Sequence, residues 1–183
     1  MLEAIFQHYG LKTSYIDCVD NIWIALWFAT HSVQSKVINN NEFVYYYENT
    51  EKFSYIFQIA SDAIVPSKKN AGEYTGETTI CYDLRKALPA FYLRPHVQHA
   101  YMIKKRPDGN QKPIADYSDL IIGIAKIPTN MALKWLGNGE ILSVSTLFPS
   151  PVFDDGYELI LKQLPPQSSD FIRTYGAIQF IDD

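Results

Sequence analysis

The chain has 183 residues, a net charge of −4, 47% hydrophobic and 20% charged residues. That is the composition of a folded chain with a core of its own, needing no disulfide or metal staple, and its length suits a single domain over residues 1–183. The acidic balance excludes general nucleic-acid binding, whose affinity comes from dense Lys and Arg. The longest apolar run, IWIALWFA, falls far short of the ~20 residues of a membrane span, and no basic start leads into an apolar stretch. The expectation is no membrane association and a cytoplasmic setting.

Residues 2–9, LEAIFQHY, read as a short helix stopped by Gly10. KTSYIDCVDN follows as loop or short extended chain. Asp20 is placed to N-cap NIWIALWFATHSV, a helix apolar almost all round and therefore expected to be buried. KVINNN reads as a polar turn. FVYYY and YIFQIA carry the aromatic and branched residues of strands, joined by a loop of hairpin length. IVPSKKNAGEYTGETT reads as loop, TICYD as a strand, and DLRKAL as a short helix ended by Pro89.

FYLRPHVQHAYMIKK starts irregular and becomes a strand around Ala100–Ile103, and RPDGNQKP is a turn. DLIIGIAKI is apolar nearly throughout and reads as a central strand. Thr129 is placed to cap the helix NMALKWLG. GEILSVSTLFP reads as extended or mixed, and YELILKQL as a helix. After a break at QLPPQSS, the tail IRTYGAIQFIDD suits a final strand. The expected fold class is α+β, with a mixed or mostly antiparallel sheet packed against a buried helix.

The segment QHYGLKTSYIDCVDNIWIALWFA resembles the FRG domain family of bacteria and phages. Gln7, His8, Tyr9, Gly10, Leu11, Thr13, Asp17, Ala25, Leu26, Phe28 and Ala29 stand at matching places. Arg94 and Gln98 in RPHVQHAYMI, and Phe148, Pro149 and Gly156 further on, are similar to later family motifs. The Phe-Arg-Gly triplet that names the family is absent. Lys12, Ser14, Cys18 and Ala100 stand where the family has Pro, Arg, Trp and Gly. The expectation is an N-terminally shortened FRG-like domain. The resemblance implies a module binding a small molecule or a protein partner through His8, Tyr9, Thr13, Asp17, Arg94 and Gln98, in a bacterial setting where phage defence is one suggested role.

Each of these residues also has an ordinary structural reading. His8 is either an acid/base group or a cation at the negative end of a helix. Asp17 either orients His8 or holds a turn. Arg94 either clamps an anion with its planar fork or forms an internal ion pair, and Gln98 either reads a ligand or edges a strand. Such polar residues flanking buried elements place the QHYG and RPHVQ segments on one cleft. His96 and His99, three apart on extended chain, face opposite sides and suit no metal. Cys18 and Cys81 show no metal-ligand spacing and read as free thiols.

A second reading is a nucleotide-dependent transferase resembling the ADP-ribosyltransferases. Glu140, in GNGEILS, would be the carboxylate at a strand start, and NAD the cofactor. The bland reading of Glu140 is a surface turn residue. Neither a phosphate-cradling Gly-rich loop nor a GxSxG or HExxH motif occurs.

Overall fold

In chain order the first half contains α1 (Leu2–His8), β1 (Ile16–Val19), α2 (Ile22–Thr30), β2 (His31–Ile38), β3 (Asn41–Glu48), β4 (Phe53–Ile59), β5 (Val65–Pro66) and β6 (Glu73–Thr75). Then follow β7 (Thr79–Asp83), α3 (Leu84–Ala87), α4 (Leu93–Val97), β8 (Ala100–Lys105), β9 (Ile121–Pro128), α5 (Thr129–Trp135), α6 (Val144–Leu147), α7 (Asp155–Gln163) and β10 (Arg173–Gly176). These elements come from a computed structural model that describes residues 1–10, 13–38, 41–106, 116–163 and 173–176, with backbone alone at 37–38, 41–43 and 173–176. The class is α+β, as expected.

Three sheets organise the described residues. The largest runs β1–β8–β7–β6–β5 and is antiparallel throughout. The second runs β10–β3–β2, with β10 parallel to β3. The third pairs β4 with β9, with an irregular register between Gln58 and Ile59. One core cluster gathers α1, β7, β8 and α7 around Met102, Leu84 and Tyr157; a second gathers α2, α5 and α6 around Trp27, Leu136 and Leu147.

α2 forms where the apolar run predicts, but both its ends differ. Asn21, not Asp20, is the N-cap: its Oδ1 accepts from the backbone N–H of Trp23 at 2.9 Å and of Ile24 at 3.4 Å. Thr30 ends the helix, its hydroxyl turned back onto the Leu26 carbonyl at 2.9 Å, and His31 is already extended. Burial is one-sided. Ile24, Leu26, Trp27 and Thr30 are buried, whereas Ile22 and Trp23 are 60% and 49% exposed. An all-round apolar run fixes a helix but does not say that every face finds a neighbour.

Pairing departs from the hairpin expected of FVYYY and YIFQIA. β3 pairs with β2 and β10, and β4 with the distant β9. β9 is not central: among the described residues it has β4 alone for a neighbour, and Ile122 and Ile124 are exposed. KVINNN begins as the end of β2, because Lys36–Ile38 stay in register with β3. The expected loop at 64–79 contains β5 and β6. Arg94 lies on α4 rather than on extended chain, with Gln98 as that helix's C-cap. Pro95 is tolerated because it falls in the first turn, whose N–H groups have no intrahelical acceptor. Pro128, not Thr129, precedes α5, and the Thr129 hydroxyl instead meets Ser54 at 2.9 Å. GEILSVSTLFP holds α6. YELILKQL is α7, and part of the tail is β10. The expected turn over RPDGNQKP beyond Arg106 and most of the QLPPQSS break lie outside the described residues.

Candidate functional site

Helices and strands from both halves of the chain converge on a cavity of about 560 Å³. α1 and the residues after it bring His8 and Gly10. β1 brings Asp17, Cys18 and Val19, and α2 brings Ala25 and Phe28. Arg94 and Gln98 come from α4 and its cap, Tyr46 from β3, and Phe148 follows α6. The QHYG and RPHVQ segments therefore share one cleft.

The decisive group is Arg94. It is 4% exposed, and its guanidinium carbon lies 4.6 Å from the Tyr157 ring centroid, 4.9 Å from Tyr9 and 5.4 Å from Phe148. Rings attract the charge through their faces, but they offer no acceptor in the guanidinium plane. Nη1 reaches only the His8 carbonyl, at 3.4 Å, and Nε and Nη2 have no hydrogen-bond partner among the described residues. Nor does any described carboxylate form an ion pair with it. Asp154, a carboxylate that touches Arg94 through its backbone, is fully buried and already occupied. Its Oδ2 accepts from the Tyr9 hydroxyl at 2.9 Å and the Arg94 backbone N–H at 3.0 Å, and its Oδ1 from the Tyr157 N–H at 3.0 Å.

Gln98 sits one turn from Arg94 and is 5% exposed. Its Nε2 donates to the Leu147 carbonyl at 2.7 Å, while its Oε1 receives no hydrogen bond from the described residues. Asp17 is at the rim. Gln7 Nε2 donates to its Oδ2 at 3.1 Å, and its Oδ1 stands 3.7 Å from His8 Nδ1. Burial lowers the His8 pKa below 6.5, and the Arg94 charge acts in the same direction; Asp17, through hydrogen bonding and charge, opposes it. The Tyr46 hydroxyl is pushed up to about 12 by burial, with Arg94 pulling it down and Asp17 pushing it up, so this phenol feels both charges.

Residues 2–37 match the FRG domain family. No curated protein and no solved structure matches the chain. The FRG segment spans α1, β1, α2 and most of β2, and it supplies one wall of the cavity through His8, Asp17 and Phe28. The facing wall, with Arg94, Gln98 and Phe148, lies outside the matched residues.

Of the six residues expected at the site, His8, Asp17, Arg94 and Gln98 line the cavity together. Tyr9 and Thr13 stand behind it. Tyr9 is buried against Tyr157 and bonded to Asp154, and Thr13 donates to Gln7 Oε1 and accepts from the Tyr15 N–H. Three contributors escaped the sequence reading. Tyr46 and Phe28 looked like ordinary aromatic core. Asp154 could have been read as the residue just ahead of a helical apolar pattern, an N-cap position.

The other candidates lie elsewhere. Glu140 is exposed after a 3₁₀ turn rather than at a strand start, and it does not line the cavity. His96 is on α4. His99, at φ 51°, joins a separate network in which Asp20 accepts from Arg85 Nη2 at 2.6 Å and from the Tyr101 hydroxyl at 3.2 Å. His99 Nδ1 lies 2.9 Å from both Asp20 Oδ1 and Arg85 Nη1. Burial pushes the thiols of Cys18 and Cys81 up to about 12 and about 11, and both are free. No group of three or more His, Cys, Asp or Glu side chains among the described residues could hold a metal ion. No helix among them is long and apolar enough to cross a membrane.

Proposed function

We propose that the chain is a binding module for a small organic anion, with Arg94 holding the anionic group and Phe28, Tyr46 and Phe148 receiving an apolar body. The observation that carries this reading is the uncompensated guanidinium of Arg94 at the cavity wall. Burying a charge without a counter-ion costs several kcal/mol, and leaving its donors unmet adds to that cost. An anion in the cavity offsets both. The aromatic rings around Arg94 offset the burial of its charge but give its N–H donors no hydrogen-bond acceptor.

The test uses 3-phenylpropionate, a carboxylate with an apolar ring, titrated calorimetrically into the wild-type protein and into Arg94→Lys. Lys keeps the charge but loses the planar two-bond fork. Losing one charged hydrogen bond in a desolvated site costs about 1.5–3 kcal/mol, so affinity should fall roughly ten- to a hundredfold. No binding to the wild type, or equal binding to Arg94→Lys, removes the reading.

A further inference from the structure

The polar groups of the cavity have a sign order. At its deep end Arg94 presents a cation whose Nε and Nη2 donors lack acceptors among the described residues. One helical turn away the nearly fully buried Gln98 presents an acceptor, Oε1, that receives nothing from the described residues. At the rim Asp17 presents a carboxylate whose Oδ1 faces the His8 imidazole, and burial keeps that imidazole biased toward its neutral form. Between them the wall is apolar.

We infer that the ligand of this cavity is a zwitterion of the α-amino-acid class: its carboxylate meets Arg94, and its ammonium meets Gln98 Oε1 and the Asp17 carboxylate. This inference rests on the reading of Arg94 as an anion clamp and adds the ligand's second charge. Its basis is the pairing of unmet groups. A ligand that is anionic only leaves the Gln98 oxygen without a donor and brings its charge toward Asp17. A ligand that is cationic only leaves Arg94 uncompensated. A dipolar ligand satisfies all three groups at once, because an α-amino acid carries its ammonium and its carboxylate on the same carbon. The aromatic wall of Phe28, Tyr46 and Phe148 then faces the side chain, which favours an apolar or aromatic one.

Three probes share one phenyl ring: L-phenylalanine is zwitterionic, whereas 3-phenylpropionate and N-acetyl-L-phenylalanine are anionic only. They are titrated calorimetrically into the wild-type protein and into Asp17→Asn, after a thermal melt confirms that the variant is folded. L-phenylalanine should bind the wild type at least about tenfold more tightly than either of the others, the scale of one charged hydrogen bond. Asp17→Asn should shrink that advantage and leave 3-phenylpropionate unaffected or slightly tighter. Equal binding of L-phenylalanine and 3-phenylpropionate, with both weakened by Arg94→Lys, overturns the zwitterion and leaves the anion clamp standing. Absence of binding by all three overturns both.

Discussion

The backbone N–H of Gln98 donates to the Arg94 carbonyl at 3.0 Å, so the two side chains leave α4 one turn apart and reach the same cavity. A four-residue spacing puts side chains on one face of a helix or a strand, but the helix rises only about 6 Å over it where a strand would run about 13 Å. The short helix thereby sets a rigid donor beside a rigid acceptor.

Arg94→Met separates a ligand group from a structural one. Removing the guanidinium gives up three cation–π contacts, worth about 0.5–2 kcal/mol each. It also removes a buried charge that costs several kcal/mol. The two terms nearly offset, so stability to urea should stay within about 1 kcal/mol of the wild type while binding of 3-phenylpropionate is lost. An arginine in a structural ion pair would instead cost about 3–5 kcal/mol on removal.

Asp154→Ala should behave in the opposite way. It strands the Tyr9 hydroxyl and the Arg94 and Tyr157 N–H groups in the interior. Each buried unmet donor costs about 1–3 kcal/mol. Urea denaturation should show a loss of several kcal/mol, and a change of less than about 1 kcal/mol would mean that water replaces the carboxylate.

Leu26→Ala should cost about 2–5 kcal/mol, because Leu26 is 2% exposed in the cluster around Trp27. Trp23→Ala, on the exposed face of the same helix, should stay within about 0.5 kcal/mol. Chemical denaturation of the pair checks whether α2 is one-sided.

Stability should fall as pH drops below the ordinary histidine value of 6.5. Burial lowers the His8 pKa in the folded chain, so the unfolded chain binds a proton first and stability rises with pH across this window. Asp17, Arg94 and the edge-on Tyr9 ring face His8; His31, stacked on Trp27 and likewise lowered by burial, acts in the same direction. His8→Gln should make the loss below 6.5 shallower without abolishing it. A separate loss belongs below 3.8. Asp62 is held down to about 2 by hydrogen bonds from Thr79 and Thr78, and Asp20 is held low by Arg85, His99 and Tyr101 against the opposing effect of burial. Urea titrations at stepped pH values check both windows.

The chemistry of the cavity was more legible in the residues than its walls. His8, Asp17, Arg94 and Gln98 all stood out through the family resemblance. Phe28 and Tyr46 did not, because an aromatic side chain on a strand or helix reads the same whether it packs in a core or borders a void. Pairing was hardest to read. The loop between β3 and β4 has hairpin length, yet β4 keeps its register with β9 from Phe53↔Pro128 through Ile59↔Ile121. Local turn chemistry carries no information about that distant partner. The apolar run of β9 fixed a strand, but composition does not distinguish a strand flanked on both sides from one with a single neighbour.

His99 has a consequence for the other end of β1. Its Nδ1 is equidistant from an obligate donor, Arg85 Nη1, and an obligate acceptor, Asp20 Oδ1. One nitrogen cannot serve both: with a bare lone pair it accepts a hydrogen bond from Arg85, and with its own proton it donates one to Asp20. The two contacts are therefore alternatives set by the imidazole tautomer. Asp20 is tied to Arg85 and Tyr101 under either tautomer, so the junction does not depend on which one His99 adopts.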